Sequence, residues 1–213
     1  MRIDIITLFP EMLEPVFGAS ILGRAQKQKL VKIKIHDLRR FALDKHRKVD
    51  DKPFGGGAGL VLKVEPIFKA LKFICKSNRG KVIFMGPKGR ILSQNKLKRL
   101  SKEKDLIILC GHYDEIDERV RQHLIDEEIS IGEYILTGGE IPAMVLIDGI
   151  ARLIKGAVGK EASLRNETYS RKGVVKHPQY TQPREFNGWR VPEVLISGHH
   201  GEIEKWRQKH SKS

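Results

Sequence analysis

The sequence predicts an α/β domain built on a mainly parallel sheet. Three observations carry this: strand-length apolar runs alternate with helix-period segments, the run 106–110 is apolar almost throughout, and three strands exit into glycine-bearing loops, MGPKGR, CGHYDE and LTGGE. The first strand is expected at 3–9, closed by Pro10. A helix is expected from 11 to about 29, with Met12, Val16, Phe17 and Leu22 on one face. A short second strand follows at 31–36. Residues 37–63 are the longest stretch without periodicity, polar and glycine-rich, and such loops carry function or are disordered. A helix at 65–77 aligns Ile67, Leu71 and Ile74. The strand 81–85 leads into Gly86-Pro87-Lys88-Gly89, and Ser93 caps a helix reaching about 103. The strand 106–110 exits through Gly111-His112-Tyr113-Asp114-Glu115 into a helix at 117–125. The run SIGEYILTGGEIPAM, 130–144, reads as a strand ending in Gly138-Gly139 that opens into a helix over 141–154. Paired glycines at such a junction let backbone groups approach a ligand that a Cβ would hold off.

Ligands of open α/β sheets sit beyond the carboxyl ends of the strands, so three glycine loops there mark the candidate site. None is a nucleotide phosphate loop. No Gly-Lys-Ser/Thr follows, no GxGxxG opens a helix, and the run Gly55-Gly56-Gly57-Ala58-Gly59 lacks a closing lysine–serine pair. The pattern fits a neutral or cationic adenosyl ligand gripped through backbone.

Forty basic against 26 acidic residues give 213 residues a formal charge of +14, which points to a polyanion, most simply a nucleic acid. The charge is uneven: residues 79–104 carry nine bases and one acid, whereas 113–148 carry ten acids and only Arg119 and Arg121 as bases. An acidic pocket in a basic shell suits a cationic small ligand beside an anionic large one. Cys75 and Cys110 show neither CxxC nor zinc spacing and read as packing thiols of a reducing compartment. The N-terminal apolar run is interrupted by Asp4, so it is a core strand rather than a signal peptide, and no stretch reaches the roughly 18 apolar residues of a membrane span. A soluble cytoplasmic protein is the expectation. His199-His200-Gly201-Glu202 reads as a helix N-terminus, not as a metal site.

Seven blocks run through nearly the whole chain in one order: ITLFPEM (6–12), KVDDKPFGGGAG (48–59), VIFMGPKGR (82–90), LCGHYDEIDERV (109–120), SIGEYILTGGEIPAM (130–144), HPQYTQP (177–183) and VPEVLISGHHGEIEKWR (191–207). In these the chain resembles the bacterial tRNA (guanine-N1)-methyltransferases that modify the guanosine just 3′ of the anticodon. The resemblance implies a SPOUT-type sheet domain with a deep trefoil knot, an exception to the rule that chains stay unknotted. It further implies S-adenosylmethionine as donor, tRNA and not DNA as partner, and an obligate homodimer with the active site between subunits. It also admits a magnesium ion beside the carboxylate that follows Tyr113. A knotted domain at 1–158, a linker at 159–168 and a small helical RNA-binding domain at 169–213 are expected.

By the same resemblance the donor lies against Met85, Gly86, Pro87, Gly111, Ile131, Gly132, Glu133, Tyr134, Ile135, Leu136, Gly138, Gly139 and Pro142, and the acids Glu133 and Glu140 suit a sulfonium. Guanine N1 must lose a proton to become nucleophilic, which calls for a base near N1 and a cation near O6. The resemblance assigns the cation to Arg152 and the base to Glu167, where the family carries aspartate. Arg39, His46, Arg47, Asp50, Asp51 and Tyr180 are the expected RNA contacts. Three further departures stand out: Glu115 replaces a glycine, Gln182 an arginine, and the helical segment after 203–209 is short. Two other readings are a knotted methyltransferase for a different RNA guanosine and a non-catalytic RNA-binding protein of the same fold.

Overall fold

In the computed structural model the described residues are 1–76, 80–158, 167–169 and 173–211. They form two compact units, Met1–Gly159 and Lys160–Ser213. Most of the linker expected at 159–168 lies outside the described residues, as do 77, where the second expected helix was to end, and the last two positions.

The first unit is built on five parallel strands: β1 (Arg2–Thr7), β2 (Lys32–Asp37), β5 (Lys81–Ile91), β6 (Asp105–Cys110) and β8 (Glu127–Ser130), in the order β2-β1-β6-β5-β8. Ile5 and Ile83 both pair with Ile108 at its centre. Side chains alternate between faces, and both faces are buried. Ile3, Ile5, Ile83, Leu106 and Ile108 join one apolar cluster, while Ile6, Val82, Phe84, Ile107 and Leu109 join another. The first cluster is covered by α1 (Pro10–Gly18), α2 (Ser20–Lys27) and α6 (Glu140–Ala151), the second by α3 (Val64–Ile74) and α5 (Glu118–His123). This is the predicted α/β architecture, with β6 buried along nearly its whole length. Asp4, a charge inside β1, is paired with Arg2 and His36.

Three expectations change. The helix expected over 11–29 breaks at Ala19, whose extended backbone separates α1 from α2. An unbroken helix would carry Leu22 roughly 140° around the axis from Phe17; the break lets Phe17 and Leu22 enter the same cluster. The strand expected over 81–85 continues to Ile91, because both Met85 and Arg90 pair with Ile129 and residues 86–89 bulge out between them. The strand expected over 130–137 is displaced: β8 ends at Ser130, and 131–137 is irregular, with Tyr134, Ile135 and Leu136 exposed. The apolar run Tyr134-Ile135-Leu136 there mimics a strand, but no neighbour pairs with it.

The aperiodic stretch 37–63 also holds structure that its sequence hides. A 3₁₀ turn (Leu38–Phe41) is followed by β3 (Asp50–Asp51) and β4 (Val61–Leu62), which build a small sheet with β7 (Glu115–Ile116). Buried Val49 and Leu62 anchor it. The helix α4 (Gln94–Leu100) starts as expected, with Ser93 Oγ accepting from Lys96 N.

The second unit contains a hairpin of β9 (Glu185–Phe186) and β10 (Trp189–Arg190), then α7 (Glu193–Ile196) and α8 (His200–His210). The hairpin was not expected in a helical segment. Trp206 lies edge-on to the rings of His177 and Tyr180 and stacks on His210. His199 caps α8, and Ser197 Oγ accepts from His199 N, in keeping with the cap reading. Among the described residues no helix is long and apolar enough to cross a membrane.

Candidate active site

Neighbouring strands β6, β5 and β8 send their exits to one place, an open cleft of about 130 Å³. The β5 bulge supplies Met85, Gly86 and Pro87, the β6 exit supplies Gly111, and the long loop supplies Ile131, Gly132, Tyr134, Ile135 and Leu136. Gly138, Gly139 and Pro142 close the cleft at the start of α6. Of the cleft residues expected from the sequence, only Glu133 is off the lining; it is exposed to solvent. Phe84, Asp114, Ser130 and Thr137 also line the cleft.

Backbone stitches the loops together. Gly139 N donates to Gly111 O at 2.8 Å, and His112 and Gly138 form an antiparallel bridge. A Cβ on Gly139 would stand 2.7 Å from both Cys110 Cα and Gly111 N, so only glycine permits this approach. Ser130 Oγ donates to Gly132 O at 2.9 Å and holds the start of the long loop.

Behind Gly138 lies a polar cluster of which sequence reasoning singled out only Glu140. Thr7 Oγ1, fully buried, donates to Glu140 Oε1 at 2.7 Å, and Glu140 Oε2 is 3.9 Å from His112 Nδ1. Glu140 is 1 % exposed, so its charge sits beneath the cleft wall at the N-terminal end of α6, where the helix dipole favours an anion. A lone threonine within the apolar run of β1 was the available signal. Burial, aided by the charge of Glu140, pushes the Cys110 thiol well up, so it stays protonated and is a packing residue as expected.

Glu115 lines the cleft, but its carboxylate is already occupied: Lys88 Nζ donates to it at 2.5 Å and Arg121 at 2.7 Å. Burial alone would raise its pKa; hydrogen bonds from Lys88 and Arg121 outweigh this and hold it below the usual carboxylate range. Tyr113 stands with positive φ between His112, at 5.1 Å between rings, and Asp50, and burial followed by the charge of Asp50 raises its hydroxyl pKa.

Asp50 therefore joins the small sheet to the cleft edge, whereas Asp51 is exposed and accepts from Lys52 N. Arg39 is half-buried: it donates to Leu8 O and lies 5.3 Å over the Phe9 ring. His46 and Arg47 are exposed. Arg152 ends α6, with its amide donating to Asp148 O. In the second unit Glu167 is half-buried, and the two residues after it are pinned: Thr168 Oγ1 accepts from Lys176 N, and Tyr169 N donates to Val174 O at 2.7 Å. Tyr180 and Gln182 are exposed. No group of three or more His, Cys, Asp or Glu side chains placed to hold a metal occurs among the described residues.

Over residues 1–213 the chain matches the family model described as tRNA (Guanine-1)-methyltransferase TrmD. It is 52% identical over 213 residues to the tRNA (guanine-N(1)-)-methyltransferase of Ruminiclostridium cellulolyticum, covering 99% of this chain and 91% of that one. It is 50% identical over 214 residues to the namesake protein of Desulforamulus reducens, covering 99% and 84%. With that of Carboxydothermus hydrogenoformans it shares 52% over 211 residues, 99% of this chain and 83% of the other.

Proposed function

Because the chain belongs to the tRNA (guanine-1)-methyltransferase family, we propose that it transfers a methyl group from S-adenosylmethionine to N1 of the guanosine immediately 3′ of the anticodon in tRNA. The observation that carries this reading is the cleft at the ends of β5, β6 and β8, walled by glycine backbone and apolar side chains. Its residues fit the donor: the Gly139 approach to Gly111 leaves backbone groups bare, and Met85, Ile131, Leu136 and Pro142 offer a dry slot. When bound, S-adenosylmethionine supplies a methyl group on a positively charged sulfur. The buried carboxylate of Glu140, behind Gly138, gives the wall a favourable potential for that charge.

The remaining chemistry falls to the chain's own side chains. Glu167 takes the proton from guanine N1, and Arg152 donates hydrogen bonds to O6 as negative charge gathers there. The basic surplus of the chain, with His46 and Arg47 exposed, supplies phosphate contacts, and Asp50 and Asp51 offer acceptors to the N1 and amino donors of guanine. A tRNA substrate makes the cytoplasm the expected location. The knot and the division into a methyltransferase domain and an RNA-binding domain belong to the same proposal.

So does the homodimer, which an exposed apolar surface supports. Met12 and Val16 on α1, Ile141 and Val145 on α6, and Ile135 in the long loop are exposed, Ile135 by 80%. The two helices pack against each other, and exposed apolar side chains on neighbouring elements are a mark of interfaces. Ile135→Glu is expected to yield a folded monomer by sedimentation equilibrium and to lose most methyl transfer; a variant that stays dimeric would remove Ile135 from the interface.

The reaction itself is tested with labelled S-adenosylmethionine and a tRNA transcript carrying guanosine 3′ of the anticodon, against the same transcript with adenosine there. Transfer to the first alone is expected. Transfer to both would keep the reaction class and reject the target; donor binding without transfer to either would favour the non-catalytic reading.

A further inference from the structure

Four charged side chains bridge the loops of the cleft without a part in the reaction described above. Lys88 stands in the β5 bulge, Glu115 at the β6 exit, Arg121 on α5 and Glu128 in β8. Lys88 Nζ donates to Glu115 Oε2 at 2.5 Å, and Arg121 Nη2 donates to Glu115 Oε1 at 2.7 Å. The same guanidinium donates from Nε to Glu128 Oε2 at 2.9 Å and from Nη1 to Glu118 Oε2 at 2.7 Å. Its carbon lies 5.5 Å from the centre of the Phe84 ring, which lines the cleft. The other Glu128 oxygen, Oε1, is buried with no hydrogen-bond partner and presses on the bulge: a Cβ on Gly86 would come within 2.3 Å of it.

We propose that Lys88, Glu115, Arg121 and Glu128 act as a charge clamp that sets the distance between the 86–89 and 111–115 loops and thereby the affinity for S-adenosylmethionine. This rests on the reading of the cleft as the donor site. The sequence raises the question at Glu115, where the family resemblance expects glycine: a long charged side chain on the lining would intrude on a ligand unless it were held aside. Arg121, 17% exposed, meets it from below and is the stronger arm, because shielded pairs are less screened. Lys88, 65% exposed, meets it from the rim and is the weaker arm. The chain of contacts reaches all three strands whose exits form the cleft, so loosening it lets the bulge and the β6 exit drift apart. These are positioning residues; none needs to touch the methyl group.

The test is equilibrium binding of S-adenosylmethionine to the full chain by calorimetry, for wild type, Glu115→Gln, Lys88→Met and the double variant. Glu115→Gln is expected to weaken binding about tenfold, since it leaves Arg121 with one fewer charged partner. Lys88→Met is expected to weaken it about threefold in the wild-type background and not at all in the Glu115→Gln background, the non-additivity of a shared contact. In turnover the donor KM should follow these changes while the tRNA KM stays fixed. Should Glu115→Gln fail to fold by circular dichroism, Glu115→Asp, which keeps the charge, serves in the same cycle with a smaller loss expected. Additive effects, or donor affinity within twofold of wild type in Glu115→Gln, would overturn the clamp. A wild-type chain that does not bind S-adenosylmethionine would overturn the donor-site reading itself, and the clamp with it.

Discussion

Glu167→Ala should lower kcat by about 10²–10⁴-fold while S-adenosylmethionine binds as before, the range that removal of a general base gives. Guanine N1 holds its proton at neutral pH, so without a base the attacking lone pair is missing from nearly every encounter. Thr168 and Tyr169 tie the backbone after Glu167 to Val174 and Lys176, which gives the carboxylate a defined origin. Arg152→Ala should also reduce kcat, by about 10²–10³-fold, because the charge growing on O6 would lose its donor. Glu167→Asp is the informative partner. The side chain, one methylene shorter, draws the carboxylate back by roughly 1 Å, a displacement able to change rates about 100-fold, so the conservative variant reports whether this backbone is tuned to glutamate. Single-turnover rates with donor and tRNA saturating make the comparison. Equal rates for wild type and Glu167→Ala would remove Glu167 from the chemistry.

Gly139→Ala is expected to abolish measurable donor binding and to cost about 1–3 kcal/mol of stability, as overpacking does. The added methyl would meet backbone atoms, Cys110 Cα and Gly111 N at 2.7 Å, which cannot rotate aside. Separation of the two segments would break the Gly139 N to Gly111 O hydrogen bond and open the cleft between β6 and α6. Gly201→Ala is the control: nothing lies within 4 Å of its Cβ position, and it sits in α8, where alanine favours the helix. Denaturant midpoints and calorimetric titration read the two effects separately. Wild-type donor affinity in Gly139→Ala would disconnect the Gly138–Gly139 junction from the ligand.

Where side-chain pattern and burial agree, the fold is legible in the sequence. The run at 106–110 reads as a strand buried on both faces and is one, and Ser93 announces α4. The three glycine loops point to the cleft because parallel strands must all end on one side of a sheet. What stays hidden is set by partners distant in sequence. Gly18 and Ser20 flank the break at Ala19, but that the break brings Phe17 and Leu22 into one cluster is set by the tertiary fold. The apolar run Tyr134-Ile135-Leu136 after Ile131 resembles a strand, yet the residues line a cleft or face outward. Glu115 looked disruptive as a lone charge; Lys88, 27 positions earlier, and Arg121, six later, show why it is tolerated. Thr7, Glu140 and His112 likewise come together only through the sheet, across as many as 133 positions.

The most direct test of the proposed reaction is the chemical identity and position of its product. After incubation of tRNA with labelled S-adenosylmethionine, nuclease digestion and mass spectrometry should find the label as 1-methylguanosine alone. Primer extension should then stop at one site, immediately 3′ of the anticodon, because a methyl on N1 blocks the pairing edge. Another methylguanosine isomer, or 1-methylguanosine at a different position, would contradict the account.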